Sequence, residues 1–97
     1  MKIAIASEGK EIESEISEKG GRAAYYLIFE KKKLIETIKN PFAAGGGGAG
    51  FSVAYMLAEK KIDLVIAGKF GGNMESALKE KGLKFEEKTG KVKEILE

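Results

Sequence analysis

Cysteine and histidine are both absent from this chain of 97 residues. Their absence excludes disulfides, zinc fingers, cysteine-ligated iron–sulfur sites and histidine catalysis within the chain. Carboxylates, methionines and backbone groups are the metal ligands that remain. Met56 and Met74 are better interpreted as core residues, since methionine fills irregular gaps well. We therefore predict no metal-binding residues.

Long apolar runs and an excess of one charge are also missing. No apolar run approaches the roughly 20 residues that a membrane span requires, and the first apolar stretch, residues 2–6, is too short for a signal peptide. The formal net charge is +2, with acids and bases interspersed, whereas nucleic-acid binders normally carry a basic stripe. We therefore expect a cytoplasmic protein that binds neither membranes nor nucleic acid.

The composition that remains is typical of one globular domain, residues 1–97, with 43% hydrophobic and 33% charged residues. Apolar and β-branched runs predict five strands, and the four-residue spacing of Ala49, Val53 and Leu57 predicts a helix. Asn73 is the expected N-cap of a second helix. The predicted strands cover residues 2–6, 24–30, 34–39, 62–67 and 83–86, and the predicted helices begin at 49, at 73 and near 90.

The order βββαβαβα determines which strands run in the same direction. A hairpin that turns at Lys31–Lys33 makes the second strand antiparallel to the first and third, and helical crossovers make the third, fourth and fifth strands parallel. We therefore predict an α/β fold of ribonuclease-H-like type, a sandwich in which helices pack on a five-stranded mixed sheet. The carboxyl ends of strands one, three and four then meet at one edge, where strand two begins.

Glycine is concentrated at that edge. Of the 13 glycines, 11 lie in the connections 7–9, 20–22, 40–50 and 68–73. Open α/β sheets bind ligands beyond the carboxyl ends of their strands, where helix N-termini present N–H groups to anions. Glycine there lets a ligand approach the backbone closely. We predict a ligand-binding edge; the alternative is that these glycines only permit tight turns.

Arg22 belongs to the same edge and is the single arginine of the chain, against sixteen lysines. Its planar guanidinium presents several donors to an anion at once, which a lysine ammonium does not. The alternative is that Arg22 forms an ion pair with Glu18 or Glu8 at the surface. The sequence favours neither interpretation over the other.

Motifs for nucleotide binding and catalysis are incomplete. Gly45, Gly47 and Gly50 formally match a dinucleotide fingerprint, but their loop follows a proline-bearing connection, and no acidic residue for a ribose ends the next strand. Phe51 stands where a Walker motif has lysine. A two-metal nuclease needs several converging carboxylates, whereas Asp63 is the sole aspartate and begins a strand at the opposite edge. We therefore expect that the protein is not an enzyme.

Three stretches resemble one known family. They are MKIAIASEG at the start, SEKGGRAAYYLIFE at 17–30 and NPFAAGGGGAGFSVAYMLAEKKIDLVIAGKFGGNMESALKEKGLK at 40–84. The family is that of dinitrogenase iron–molybdenum cofactor biosynthesis, with its NifX-like proteins and the C-terminal part of NifB. The resemblance implies a ribonuclease-H-like fold that binds or carries an iron–sulfur-based cofactor precursor. Family members often have histidine at the positions of Lys19 and Ala44. Because this chain lacks those histidines, the resemblance implies anion binding by backbone groups and Arg22 instead.

Together these patterns predict a non-enzymatic binding module that holds an anionic metal cofactor or a simpler oxyanion at the glycine-rich edge. The predicted cofactor-binding residues are Ser7, Gly21, Arg22, Asn40, Gly45, Gly46, Gly47, Gly48, Gly50, Gly68, Gly71 and Asn73. The alternative, from another class, is a structural or interaction protein that acts through a protein partner or as a homodimer. The identity of the cofactor is left open by the sequence.

Overall fold

Five strands and three helices make up the computed structural model, which describes residues 1–44 and 48–97. Their bounds lie within two residues of the predicted ones, so the predicted α/β architecture with a five-stranded mixed sheet is confirmed. The elements are β1 (Lys2–Ser7), β2 (Tyr25–Glu30), β3 (Lys33–Lys39), α1 (Ala49–Glu59), β4 (Leu64–Ala67), α2 (Gly72–Glu80), β5 (Lys84–Glu87) and α3 (Val92–Leu96).

The strands form one sheet in the order β3-β2-β1-β4-β5. β2 is antiparallel to both β1 and β3, whereas β4 is parallel to both β1 and β5. β3 therefore runs in the same direction as β4, although β1 and β2 separate the two. This arrangement brings the carboxyl ends of β1, β3 and β4 to one edge, together with the start of β2, as the connectivity predicts.

Alternating side chains divide the core between the two faces of the sheet, because successive residues of a strand point to opposite sides. Ala4, Tyr26 and Val65 contribute to the face that α1 and α2 cover. Ile5 and Leu27 contribute to the other face, which α3 and the long connection before β2 cover through buried apolar side chains. Both faces of β1, β2 and β4 are thus buried, which explains their nearly continuous apolar sequences.

The edge strand β3 is almost entirely exposed. It joins β2 through a two-residue turn in which Lys31 and Lys32 both have positive φ, 53° and 66°, as a type I′ hairpin requires. The pairing between β2 and β3 shifts in register so that Ile35 is the extra residue of a bulge. Such a bulge interrupts the regular ladder of an edge strand and makes pairing with another chain less favourable.

The prediction that Asn73 caps the second helix is wrong. α2 begins at Gly72, its N-cap is Gly71 in an extended conformation, and no side chain caps it. The chain path is set just upstream, where the Phe70 side chain is buried and the Phe70 N–H donates to Glu87 Oε2 at 3.1 Å. The chain therefore turns into the helix directly after Phe70, and Asn73 becomes its second residue.

Candidate anion-binding site

A cavity of about 550 Å³ lies at the sheet edge where the carboxyl ends of the strands meet. Three segments form its wall: residues 18–22 before β2, residues 48–50 at the start of α1, and residues 69–74 at the start of α2. Each segment contains glycine and adjoins a strand or a helix that contributes side chains to the core. The volume falls within the roughly 300–1,000 Å³ typical of small-molecule sites.

Two helix N-termini contribute to this one cavity. The N-cap of α1 is Gly48, with φ +87°, and the N-cap of α2 is Gly71; neither helix has a side-chain cap. The first N–H groups of a helix lack partners within that helix, and the aligned peptide dipoles give this end a partial positive charge. Two such ends facing the same space create an environment that favours an anion.

Three cationic side chains and one carboxylate also line the cavity. The cations are Lys19, Arg22 and Lys69, and the carboxylate is Glu18. Sequence reasoning selected only Arg22 from this set. The signals that it missed are the position of Lys19 in the same connection as Arg22 and that of Lys69 between Gly68 and Gly71. Together with the two helix ends, these cations make the cavity wall predominantly positive.

Four glycines at this edge, which we call the packing glycines, allow backbone segments to approach each other. They are Gly20, Gly21, Gly50 and Gly68. A methyl group on Gly68 would lie 2.7 Å from Glu18 Cα, and one on Gly50 would lie 2.9 Å from Met74 Cβ. A methyl group on Gly21 would lie 3.1 Å from the Cα of Gly50. These glycines hold the three cavity-lining segments against one another.

Three other glycines, which we call the open glycines, border free space. They are Gly48, Gly71 and Gly72, and apart from the adjacent residues and the helix's own backbone no described atom lies within 4 Å of the place that a methyl group would occupy. All three line the cavity. A methyl group added at any of them would therefore not collide with other described segments of the protein.

The structure brings together half of the predicted site residues. Gly21, Arg22, Gly48, Gly50, Gly71 and Asn73 line the cavity, whereas Ser7, Asn40 and Gly68 lie outside its wall. Gly45, Gly46 and Gly47 lie outside the described residues, so their predicted role stays a prediction. The predicted edge is thus partly assembled into a single concave surface.

Ser7, Asn40 and Gly68 form hydrogen bonds within the protein. The fully buried Ser7 hydroxyl donates to Gly9 O at 2.6 Å and accepts from Gly9 N at 3.2 Å, which closes a turn after β1. The Gly68 N–H donates to Ser17 O at 2.7 Å. The buried Asn40 side chain donates to backbone oxygens in the 20–23 segment. Asn40 and Gly68 therefore support the segment before β2 that lines the cavity, whereas Ser7 only closes its own turn.

A neighbouring depression of about 590 Å³ has a different charge. Its wall contains Glu8, Glu15 and Glu18 beside Lys19 and Arg22. Across residues 1–44 and 48–97, no group of three or more aspartate, glutamate, cysteine or histidine residues has a geometry that could hold a metal ion. Of these two depressions, only the glycine-lined cavity combines two helix N-termini with a predominance of cations.

The fold and the cavity define a class of small α/β proteins with a glycine-lined depression at one end of a mixed sheet. The chain belongs to the family described as dinitrogenase iron–molybdenum cofactor, whose model matches residues 1–97. The resemblance found in the sequence is thereby confirmed. No curated protein sequence matches the chain.

Solved structures of several proteins are similar to this one. A candidate NifB protein from Thermotoga, determined by NMR, is 32% identical, with a TM-score of 0.79, over 96% of this chain and 81% of that one. The apo form of the orange protein from Desulfovibrio gigas has a TM-score of 0.89 at 23% identity, over 98% of this chain and 82% of that one. A candidate dinitrogenase from Methanocaldococcus jannaschii has a TM-score of 0.61 at 16% identity, over 99% and 84%. The last two likenesses concern the fold alone.

The described residues include no helix with the length and apolar character needed to cross a membrane.

Proposed function

We propose that this protein is a non-enzymatic carrier that holds an anionic metal cofactor precursor, or a simpler oxyanion, in the glycine-lined cavity. The observation that carries the proposal is the meeting of two helix N-termini without side-chain caps and three cationic side chains in one cavity. The family to which the chain belongs supports a cofactor of the iron–molybdenum type as the cargo.

The available donor groups favour binding through hydrogen bonds over metal ligation. The chain has no cysteine or histidine, and the described carboxylates form no metal-binding group. A cargo that brings its own oxide or sulfide shell would instead accept hydrogen bonds from backbone N–H groups and from the Arg22 guanidinium. Such a cargo can be released without breaking a bond between metal and protein, which suits a carrier.

The same proposal includes the assignment of the sheet to the ribonuclease-H-like group. The strand order β3-β2-β1-β4-β5, with β2 as the antiparallel strand, supports it. Nuclease activity is not part of the proposal, because a two-metal reaction needs converging carboxylates. The single aspartate, Asp63, instead accepts a hydrogen bond from the Lys2 backbone N–H at 2.7 Å, at the opposite end of β1 and β4.

Thermal unfolding with a panel of anions tests the proposal. Tetrathiomolybdate, molybdate, tungstate, phosphate and sulfate are compared with chloride at equal ionic strength. An anion present at 100 times its Kd adds about 2.7 kcal/mol to the free energy of unfolding, and we expect this response for at least one molybdenum or tungsten anion. Arg22→Lys keeps the charge and removes the planar fork, so we expect weaker binding from that variant.

A flat response of the unaltered protein to all five anions would contradict the proposed carrier function. That result would favour the alternative from the sequence, a structural or interaction domain that acts through a protein partner or as a homodimer. An equal response of the unaltered protein and Arg22→Lys would leave anion binding in place and remove Arg22 from the binding residues.

A further inference from the structure

Tyr26 connects the hydrophobic core to the wall of the cavity. Its side chain is fully buried on the sheet face that α1 and α2 cover, and its hydroxyl donates to Gly20 O at 2.5 Å. Burial raises the pKa of the Tyr26 hydroxyl well above its usual range, so this hydroxyl stays protonated and remains a hydrogen-bond donor. Sequence reasoning treated Tyr26 only as part of a strand.

Asn40 makes a similar connection from the end of β3. Its Nδ2 donates to Gly21 O at 3.1 Å and to Ala23 O at 2.9 Å, and its Oδ1 accepts from Phe42 N at 3.0 Å. The buried side chain thereby uses its donors on the 20–23 segment and its acceptor on the connection that follows β3. Together, Tyr26 and Asn40 bind three of the four backbone carbonyls between residues 20 and 23.

These hydrogen bonds matter because the Gly20–Gly21 segment has no side chains of its own to hold it in place. A glycine pair has many accessible backbone conformations, so its position depends on contacts made to its backbone. The segment in turn contacts both helix starts. The Gly20 N–H donates to Lys69 O at 3.0 Å, and Gly21 packs against the backbone of Gly50.

We propose that Tyr26 and Asn40 are positioning residues that set the anion-binding geometry of the cavity by fixing the backbone of residues 20–23. The inference rests on the proposed function for its binding part. Arg22 lies within the fixed segment, and Lys69 is joined to it through the Gly20 N–H. Loss of the hydrogen bonds made by Tyr26, or of those made by Asn40, would let the 20–23 segment of the cavity wall move. Every cationic side chain would still be present in the protein.

The test compares Tyr26→Phe with Tyr25→Phe. Both substitutions remove one hydroxyl from β2, but Tyr25 lies on the opposite face of the sheet, half-buried, with Lys10 Nζ 5.8 Å from its ring centre. Two quantities are measured: hydrogen exchange of the Gly20 amide without ligand, relative to amides of β1, and the Kd for tetrathiomolybdate and molybdate. Exchange of β1 amides reports global opening, so the ratio isolates local opening.

We expect faster relative exchange of the Gly20 amide in Tyr26→Phe and a Kd raised about tenfold, by analogy with the loss of an outer partner that orients a metal ligand. Tyr25→Phe should change neither quantity. A merely structural role would lower global stability and leave both the exchange ratio and the Kd unchanged, and that result would overturn the inference. A change in only one of the two quantities, in a protein that binds the anion, would overturn it as well.

If the unaltered protein binds neither anion, the proposed function fails and the exchange ratio of Gly20 alone decides the positioning role: acceleration supports it and its absence overturns it. If Tyr26→Phe does not fold, Asn40→Ser takes its place. Serine keeps an oxygen that can accept from the Phe42 N–H but lacks the amide donors for Gly21 and Ala23. The same two measurements then apply with the same criteria.

Discussion

The packing glycines and the open glycines lie within a few residues of each other but have different structural roles. At Gly50 and Gly68 a methyl group would meet other parts of the protein at less than 3 Å, whereas at Gly71 and Gly72 it would meet no described atom within 4 Å. The first group therefore allows three segments to form a cavity wall. The second group leaves backbone atoms uncovered at the surface of that wall.

The difference shows that one glycine-rich edge can serve assembly and binding at the same time. The packing glycines are needed whether or not a ligand is bound, because they remove Cβ atoms from close backbone contacts. The open glycines have no packing role in the described structure. Substitution by alanine should separate the two groups: it should reduce the stability of the fold in the first and the affinity for anions in the second, although Gly48, with φ +87°, should also lose stability through its backbone conformation.

Gly68→Ala should have the largest effect. The new methyl group would lie 2.7 Å from Glu18 Cα and 3.2 Å from Ser17 O, both backbone atoms that can move only if the segment before β2 moves. We expect a loss of about 2–3 kcal/mol in the free energy of unfolding, at the upper end of overpacking effects. Urea unfolding measures it, with Gly71→Ala as the matched control. Equal stability of the two variants would remove the distinction between the groups.

Gly50→Ala should have a smaller effect because two contributions oppose each other. Its methyl group would lie 2.9 Å from Met74 Cβ and 3.1 Å from Met74 N, which forces α1 and α2 apart. Alanine is also favoured over glycine in a helix by up to about 1 kcal/mol. We expect a net loss of about 1–2 kcal/mol, measured by the same urea titration. A net gain in stability would show that the contact between the helix starts relaxes freely.

Gly48→Ala should cost about 1 kcal/mol through its backbone alone, since its φ is +87° and an L-residue is strained there. Gly48→Asn provides the control, because asparagine tolerates the left-handed region better. The asparagine variant should therefore be more stable than the alanine variant in thermal unfolding. If the two are equally stable, backbone strain does not determine the choice of glycine at this N-cap.

Gly72→Ala should leave the stability within about 0.5 kcal/mol of the unaltered protein, as is usual for changes away from packed contacts. Its effect should appear in binding, because the methyl group would stand on the cavity wall beside the N-terminus of α2. Calorimetric titration with tetrathiomolybdate should show weaker binding. Unchanged affinity together with unchanged stability would mean that this open glycine serves neither role.

Sequence patterns predicted the elements and the meeting of the connections at one edge, because hydrophobic period and strand direction are properties of the chain itself. The four-residue spacing from Ala49 to Leu57 is one example: α1 covers Ala49–Glu59. The patterns could not show which atoms lie opposite one another across the fold. The same polar or glycine residue can face a ligand or a neighbouring backbone, and the sequence around it looks alike in both cases.

Ser7, Asn40 and Asn73 illustrate that limit of pattern analysis. Ser7 closes its own turn, and Asn40 binds carbonyls 17 and 19 residues away in sequence. The partners of Asn40 are not visible from local spacing, and the spacing of Ser7 and Gly9 does not show whether the hydroxyl binds that backbone or a ligand. Asn73 follows glycines before an amphipathic run, as an N-cap does, but the observed N-cap is Gly71, two residues earlier and next to the buried Phe70. A local turn thus sets the role of Ser7, and contacts between distant parts of the chain set that of Asn40.

Mapping of backbone amide shifts in ¹⁵N-labelled protein during a titration with molybdate tests the central claim most directly. The claim is that the two helix N-termini form one anion site. It predicts saturable shifts of the Ala49, Gly50, Gly72 and Asn73 amides with a single Kd, and no such shifts with chloride at equal ionic strength. Shifts that do not saturate, or that spread over the exposed lysines of the β2–β3 turn and spare these four amides, would contradict it.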